Sequence, residues 1–105
     1  MAPYEIKWTA RAVKDLQKIY HFNSELMGEP KSFGLIEVLL ARVDMLADPK
    51  FVKMGSADEQ FIHLRRKYKK LIEGHIKITY RLNSDKSCVY INRVFDTRQH
   101  PAKNL

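Results

Sequence analysis

From Tyr4 the chain alternates, with Tyr4, Ile6 and Trp8 apolar and Glu5 and Lys7 charged. A period of two predicts a short strand with one buried face. The period then lengthens. Val13, Leu16, Ile19, Tyr20 and Met27 recur at three- and four-residue spacing, which marks one face of a helix. Thr9 is placed to cap that helix, its hydroxyl accepting from an otherwise unpaired backbone N–H. Gly28 is placed to stop it, since glycine enters the left-handed conformation without a Cβ clash. Pro30 and Ser32 open a second helix with the stripe Leu35, Ile36, Leu39, Leu40, Val43 and Leu46. Asp48-Pro49 closes it, because proline disfavours the α conformation in the residue before it. Two helices joined this tightly predict an antiparallel helical hairpin.

Residues 49–60 read as a loop, with Pro49, Gly55 and several polar side chains. Three strand-like runs follow, at roughly 61–73, 75–83 and 88–96. In the middle run Ile76, Ile78, Tyr80 and Leu82 point one way, and His75, Lys77, Thr79 and Arg81 the other. In the last, strict alternation groups Val89, Ile91, Arg93 and Phe95 against Cys88, Tyr90, Asn92 and Val94. Glu73-Gly74 suits a tight hairpin turn and 83–87 a longer one. The predicted order is β-α-α-β-β-β: an α+β fold, an antiparallel sheet with the helical hairpin packed on one face. No repeat or Gly/Ser-rich linker divides residues 1–105, so one domain is expected.

Charge adds the first functional information. The formal charge is +7, and its distribution is uneven. Residues 1–59 hold eight basic and nine acidic side chains, and residues 60–105 eleven basic and three acidic. The surplus sits in the second half and favours an anionic partner there. If the helices cover the Ile76/Ile78/Tyr80/Leu82 face, Lys77 and Arg81 lie on the open one, about 13 Å apart. Five of the six positions 65–70 are also basic. Arg65, Arg66, Lys67, Lys69 and Lys70 could track a phosphate backbone, with Tyr68 available to stack on a base. A solvated edge strand, its lysines discouraging aggregation, accounts for the same cluster. Arg93 and Arg98 extend the basic surface, and an acidic protein segment would fit it as well as nucleic acid.

Other chemistry finds little support. His21, His63, His75 and His100 are scattered, with no paired-His or Cys-x-x-Cys spacing, so no metal site is expected. Four glycines spread along the chain make no phosphate-cradling loop, and no cofactor is expected. The single cysteine, Cys88, excludes an intrachain disulfide and reads as a small core residue in a reducing compartment. No apolar run approaches the ~20 residues that cross a bilayer. With no signal-peptide layout, a cytoplasmic location and no membrane partner are expected. One catalytic possibility stays open, metal-free phosphoryl transfer on RNA. It would use Lys69, Lys77, Arg81 and Arg98 for charge and His100 to move a proton. An idle, exposed His100 is the simpler reading.

These residues resemble the RelE/ParE superfamily of type II toxin–antitoxin toxins over nearly the whole chain. The resemblance begins with 4–9, Ala12 and Asp15-Leu16, and continues through 68–72 and Gly74–Arg81. It closes with Arg93-Val94-Phe95-Asp96-Thr97-Arg98-Gln99-His100-Pro101. It implies a toxin neutralised by a cognate antitoxin, whose flexible segment wraps the sheet and hairpin in a hetero-oligomer. RelE-like members cut messenger RNA in the ribosome, whereas ParE-like members act on DNA gyrase. The RelE pattern has lysines on the second strand, for which Lys67, Lys69 and Lys70 are candidates. Its third-strand arginine meets Lys77 here, with Arg81 further along, and Arg98 matches the arginine after the last strand. The tyrosine common near the RelE carboxyl end is missing.

The closing segment and the Gly74–Arg81 run look more like the ParE, plasmid-stabilisation branch. That resemblance implies a non-enzymatic gyrase inhibitor, with Arg65, Arg66, Arg98 and the carboxyl-terminal tail as recognition residues. Truncation after Asp96 is then expected to abolish toxicity. The alternative is a RelE-like, ribosome-dependent messenger RNA endonuclease.

Overall fold

The computed structural model describes residues 3–52, 56–57 and 68–98. The elements follow one another as β1 (Glu5–Trp8), α1 (Ala10–Met27), α2 (Glu29–Asp44) and a 3₁₀ turn (Met45–Ala47). A short α3 (Pro49–Val52), β2 (Ser56–Ala57), β3 (Lys69–Glu73), β4 (Ile76–Asn83) and β5 (Cys88–Asp96) complete the chain. The helix and strand near residue 50 occupy a segment expected to be loop. Of the run expected at 61–73, the described part is β3, and 61–67 lie outside the described residues.

The caps behave as their chemistry dictates. Thr9 Oγ1 accepts from the Ala12 N–H at 3.1 Å. Gly28, at φ +87°, both ends α1 and starts α2. One residue thus reverses the chain, in backbone space that side chains rarely enter. Pro30 occupies the first turn of α2, where no intrahelical N–H is lost. Ser32 Oγ donates to the Tyr20 carbonyl at 2.7 Å, joining the hairpin.

The sheet has the order β1-β5-β4-β3-β2. Strands β2 to β5 pair antiparallel, but β1 lies parallel to β5, with Ile6 opposite Val89 and Trp8 opposite Ile91. The fold is α+β as expected, and the sheet is mixed rather than antiparallel throughout. The reason is connectivity, since the hairpin intervenes between β1 and the rest and lets β1 enter beside the last strand in either direction.

The helices cover one face. Ala12, Ile19, Leu39 and Val43 pack on Ile76, Ile78, Tyr80, Val89, Ile91 and Val94. The face of α1 is rotated from the expected stripe, because Val13 and Met27 are exposed and Asp15 and Asn23 are buried. Polar residues occupy those positions because each has partners in β5 or just beyond it. In α2, Leu39 and Val43 are buried as expected, but Leu40 is exposed.

Strict alternation fails in β5. Thr79 pairs with Arg93 and Tyr80 with Ile91, so Asn92 is an extra residue, a β-bulge. The bulge advances the phase by one. Val94 and Asp96 therefore join Val89 and Ile91 on the helix side, while Arg93 and Phe95 turn to the outer face with Tyr90.

Candidate functional site: the outer sheet face and the Arg98 corner

Paired residues on neighbouring strands share a face, so the register assigns every described basic side chain of the sheet. Lys7 and Arg81 flank Tyr90 in one row across the outer face. Arg93 and Lys70 flank Thr79 in the next, and Lys77 lies between Phe95 and Ile72 in a third. The open face carrying Lys77 and Arg81 was expected, and Lys70, Arg93 and Lys7 complete it. Lys69 pairs with Tyr80 and so lies on the helix side, apart from Lys77 and Arg81.

The aromatic rings of this face carry cations. The Arg81 guanidinium sits 4.7 Å from the centre of the Tyr90 ring. Phe95 lies beneath two, with Arg93 at 4.5 Å and Lys77 Nζ at 5.2 Å. Such stacking holds a cation in place through the negative face of the ring. It also covers the ring, and Phe95 is only 7% exposed. Arg93 is fixed on its other side by Asp15 of α1, with contacts of 2.8 and 3.3 Å. The same carboxylate accepts the Val94 N–H at 3.0 Å, where β5 has run past the end of β1. Asp15 thus satisfies a backbone group that no further strand reaches.

Arg98 belongs to a different corner. Asp96 points to the helix side, where Arg98 grips it through Nε at 3.1 Å and Nη2 at 2.8 Å. Arg98 Nη2 also donates to Asn23 Oδ1 at 2.8 Å, and the Asn23 amide donates to Asp96 Oδ2 at 3.2 Å. Burial pushes the Asp96 carboxyl upward. Hydrogen bonds from Arg98 and Asn23, with the Arg98 charge, outweigh it and hold the group below its ordinary value. Beside this triad lies a groove of about 330 Å³, lined by Met27, Leu35, Val38, His75, Ile76 and Arg98 among others. Leu26 and Phe33, each 58% exposed, give the hairpin further uncovered apolar surface.

The expected site residues are therefore divided. Lys77, Arg81, Arg93 and Lys70 share the outer face, Lys69 lies on the other, and Arg98 is tied to Asp96 and Asn23. Tyr68 is half-buried immediately before β3. Arg65, Arg66, Lys67 and His100 lie outside the described residues. Sequence reasoning missed Asp15 and Asn23 as partners of the arginines. Their spacing of four residues on either side of Ile19 hints at burial but names no partner. Among the described residues no group of three or more His, Cys, Asp or Glu could hold a metal ion. Nor is any described helix long and apolar enough to cross a membrane.

Solved structures that resemble this fold include the following three. The chromosomal ParDE system of P. aeruginosa superposes at a TM-score of 0.71 with 20% identity, covering 89% of this chain and 95% of that one. The toxin–antitoxin complex RelBE2 from Mycobacterium tuberculosis gives 0.61 with 20% identity, over 90% and 98%. An E. coli RelE mutant in the free state gives 0.58 with 16% identity, over 98% and 92%. No curated protein sequence matches the chain. The family model for the ParE toxin of the type II toxin–antitoxin system parDE matches residues 6–101. With nearly the whole domain inside that match, the chain belongs to the ParE toxin family of type II toxin–antitoxin systems.

Proposed function

We propose that this toxin is ParE-like in action, inhibiting DNA gyrase as the toxic half of a plasmid-stabilisation pair and neutralised by a cognate antitoxin. The observation that carries the reading is the division of the basic residues. A metal-free ribonuclease needs several cations and a proton-transfer group around one phosphate. Here Arg98 is engaged by Asp96 and Asn23 on the helix side, and Lys77 and Arg81 lie on the opposite face. That separation supports binding rather than phosphoryl transfer. The match to the ParE family model over 6–101 supports it independently.

The antitoxin has a suitable surface on the hairpin side. The groove beside Arg98, with Leu26 and Phe33 uncovered nearby, fits an apolar segment that also carries an acidic group. Two of the similar solved structures are themselves toxin–antitoxin systems.

The test is a gyrase supercoiling and cleavage-complex assay with purified toxin, run beside a ribosome-dependent messenger RNA cleavage assay. Gyrase arrest with intact RNA is the expected result. RNA cut at the ribosome with gyrase unaffected would replace this reading with the RelE-like endonuclease.

A further inference from the structure

We infer that the outer sheet face is a docking surface for the sugar–phosphate backbone of DNA, bound without regard to sequence and centred on Arg81. The inference deepens the gyrase reading, and it can be tested with no gyrase present.

Three observations lead to it. The face carries Lys7, Lys70, Lys77, Arg81 and Arg93 in three successive rows. Rows on one face are about 7 Å apart along the strands, so the positive charge is spread rather than gathered on one point. Among these cations Arg93 is already paired, with the Asp15 carboxylate. Arg81 sits over the Tyr90 ring, and no carboxylate reaches it among the described residues. Its buried Nε has no hydrogen-bond partner among them either. A guanidinium oriented in advance and left without an acidic partner suits an incoming phosphate oxygen.

The covered rings decide what can be read. Base stacking needs an accessible aromatic face, and Phe95 is 7% exposed beneath Arg93 and Lys77. The contacts on offer are to the backbone, which carries no sequence information. Apolar surface argues against an acidic peptide here. An amphipathic segment needs an uncovered apolar stripe. On the described outer strands that amounts to Ile72, 51% exposed, whereas Leu26, Phe33 and Val38 uncover such surface on the hairpin.

The experiment is fluorescence anisotropy of the full chain with two duplex DNAs of unrelated sequence over a range of salt. Binding within about twofold for the two sequences is expected, with a log–log salt slope of roughly −3 to −4. Arg81→Gln should weaken binding at least tenfold and reduce the slope by about one. Lys7→Glu changes an exposed residue of the same face and should weaken binding with an unchanged melting temperature. Lys18→Ala, exposed on α1, should bind as the parent does. Binding that survives both Arg81→Gln and Lys7→Glu would overturn the inference. So would tighter capture of a poly-glutamate peptide than of DNA, or a tenfold preference for RNA of the same sequence. Gyrase inhibition without DNA binding would sink this inference alone, and DNA binding without gyrase inhibition would sink only the gyrase reading.

Discussion

The Asp15 carboxylate holds the Arg93 guanidinium at 2.8 Å from 78 positions earlier in the chain, and at 3.0 Å it also accepts the Val94 N–H. One side chain thereby fixes a helix, the open edge of a strand and a cation of the outer face. Replacing it with alanine removes the hydrogen-bond partner of a buried N–H and of a half-buried guanidinium. Asp15→Ala is expected to lower the unfolding free energy by about 2–4 kcal/mol. Arg93→Ala should cost less, since the bond to Val94 survives. Urea denaturation of both variants and the double mutant checks this, and Asp15→Ala with wild-type stability would contradict it.

The Asp96 corner makes acid sensitivity specific. Its carboxyl is burdened by burial, yet hydrogen bonds from Arg98 and Asn23 leave it below the ordinary value. The ionised form therefore stabilises the fold above the usual carboxylate range near pH 4. That stabilisation disappears as pH falls through the lowered folded value. Asp96→Asn is expected to be less stable at pH 7 and to show a flatter acid limb below about pH 4. Parallel acid limbs for the two proteins would rule out this origin.

The bulge at Asn92 puts on opposite faces two residues, Tyr90 and Val94, that strict alternation treats alike. Val94, 2% exposed, belongs to the core. Val94→Lys should cost more than about 3 kcal/mol by burying an unpaired charge. Tyr90→Lys, on the outer face, should cost markedly less. Thermal melts of the two variants give the comparison, and the reverse ranking would move the bulge.

Two glycines of the hairpin should respond in opposite directions. Gly34 lies inside α2, and a Cβ there would meet nothing within 4 Å. Gly34→Ala is expected to add about 0.5–1 kcal/mol of stability. At Gly28, φ +87° and ψ 156° exclude most side chains. Gly28→Ala should cost about 1–3 kcal/mol. Equal effects on the melting temperature would contradict the helix-interior and hinge assignments.

What could be read from the chain follows the range of the interactions involved. Thr9, Gly28 and Pro30 act within a few residues, and their capping roles emerge from local chemistry. The alternation of β4 placed Lys77 and Arg81 together because nothing interrupts that strand's own periodicity. Asn92 carries no local mark of a bulge, so the phase of β5 was misread from Arg93 onward. Asp15 and Asn23 are polar residues buried through partners more than seventy positions away, which a helical stripe of apolar residues cannot reveal. The same range explains the basic residues. Composition shows that the second half is cationic. Only strand pairing assigns Lys69 to the helix side and Lys77 to the outer face, and only the tertiary contact shows Arg98 already engaged.

The parallel seat of β1 has a consequence for when the fold can exist. Glu5–Trp8 find their sheet partners at Cys88–Ile91. Emerging from a ribosome, the first strand must wait for nearly the whole domain before it has a neighbour. The hairpin can assemble earlier through contacts close in sequence, but the sheet closes late, through the slowest class of contact. The outer row joining Lys7 to Arg81 is completed by that same closure. A nascent chain thus lacks the finished cationic surface until Cys88–Ile91 have been made and have received β1.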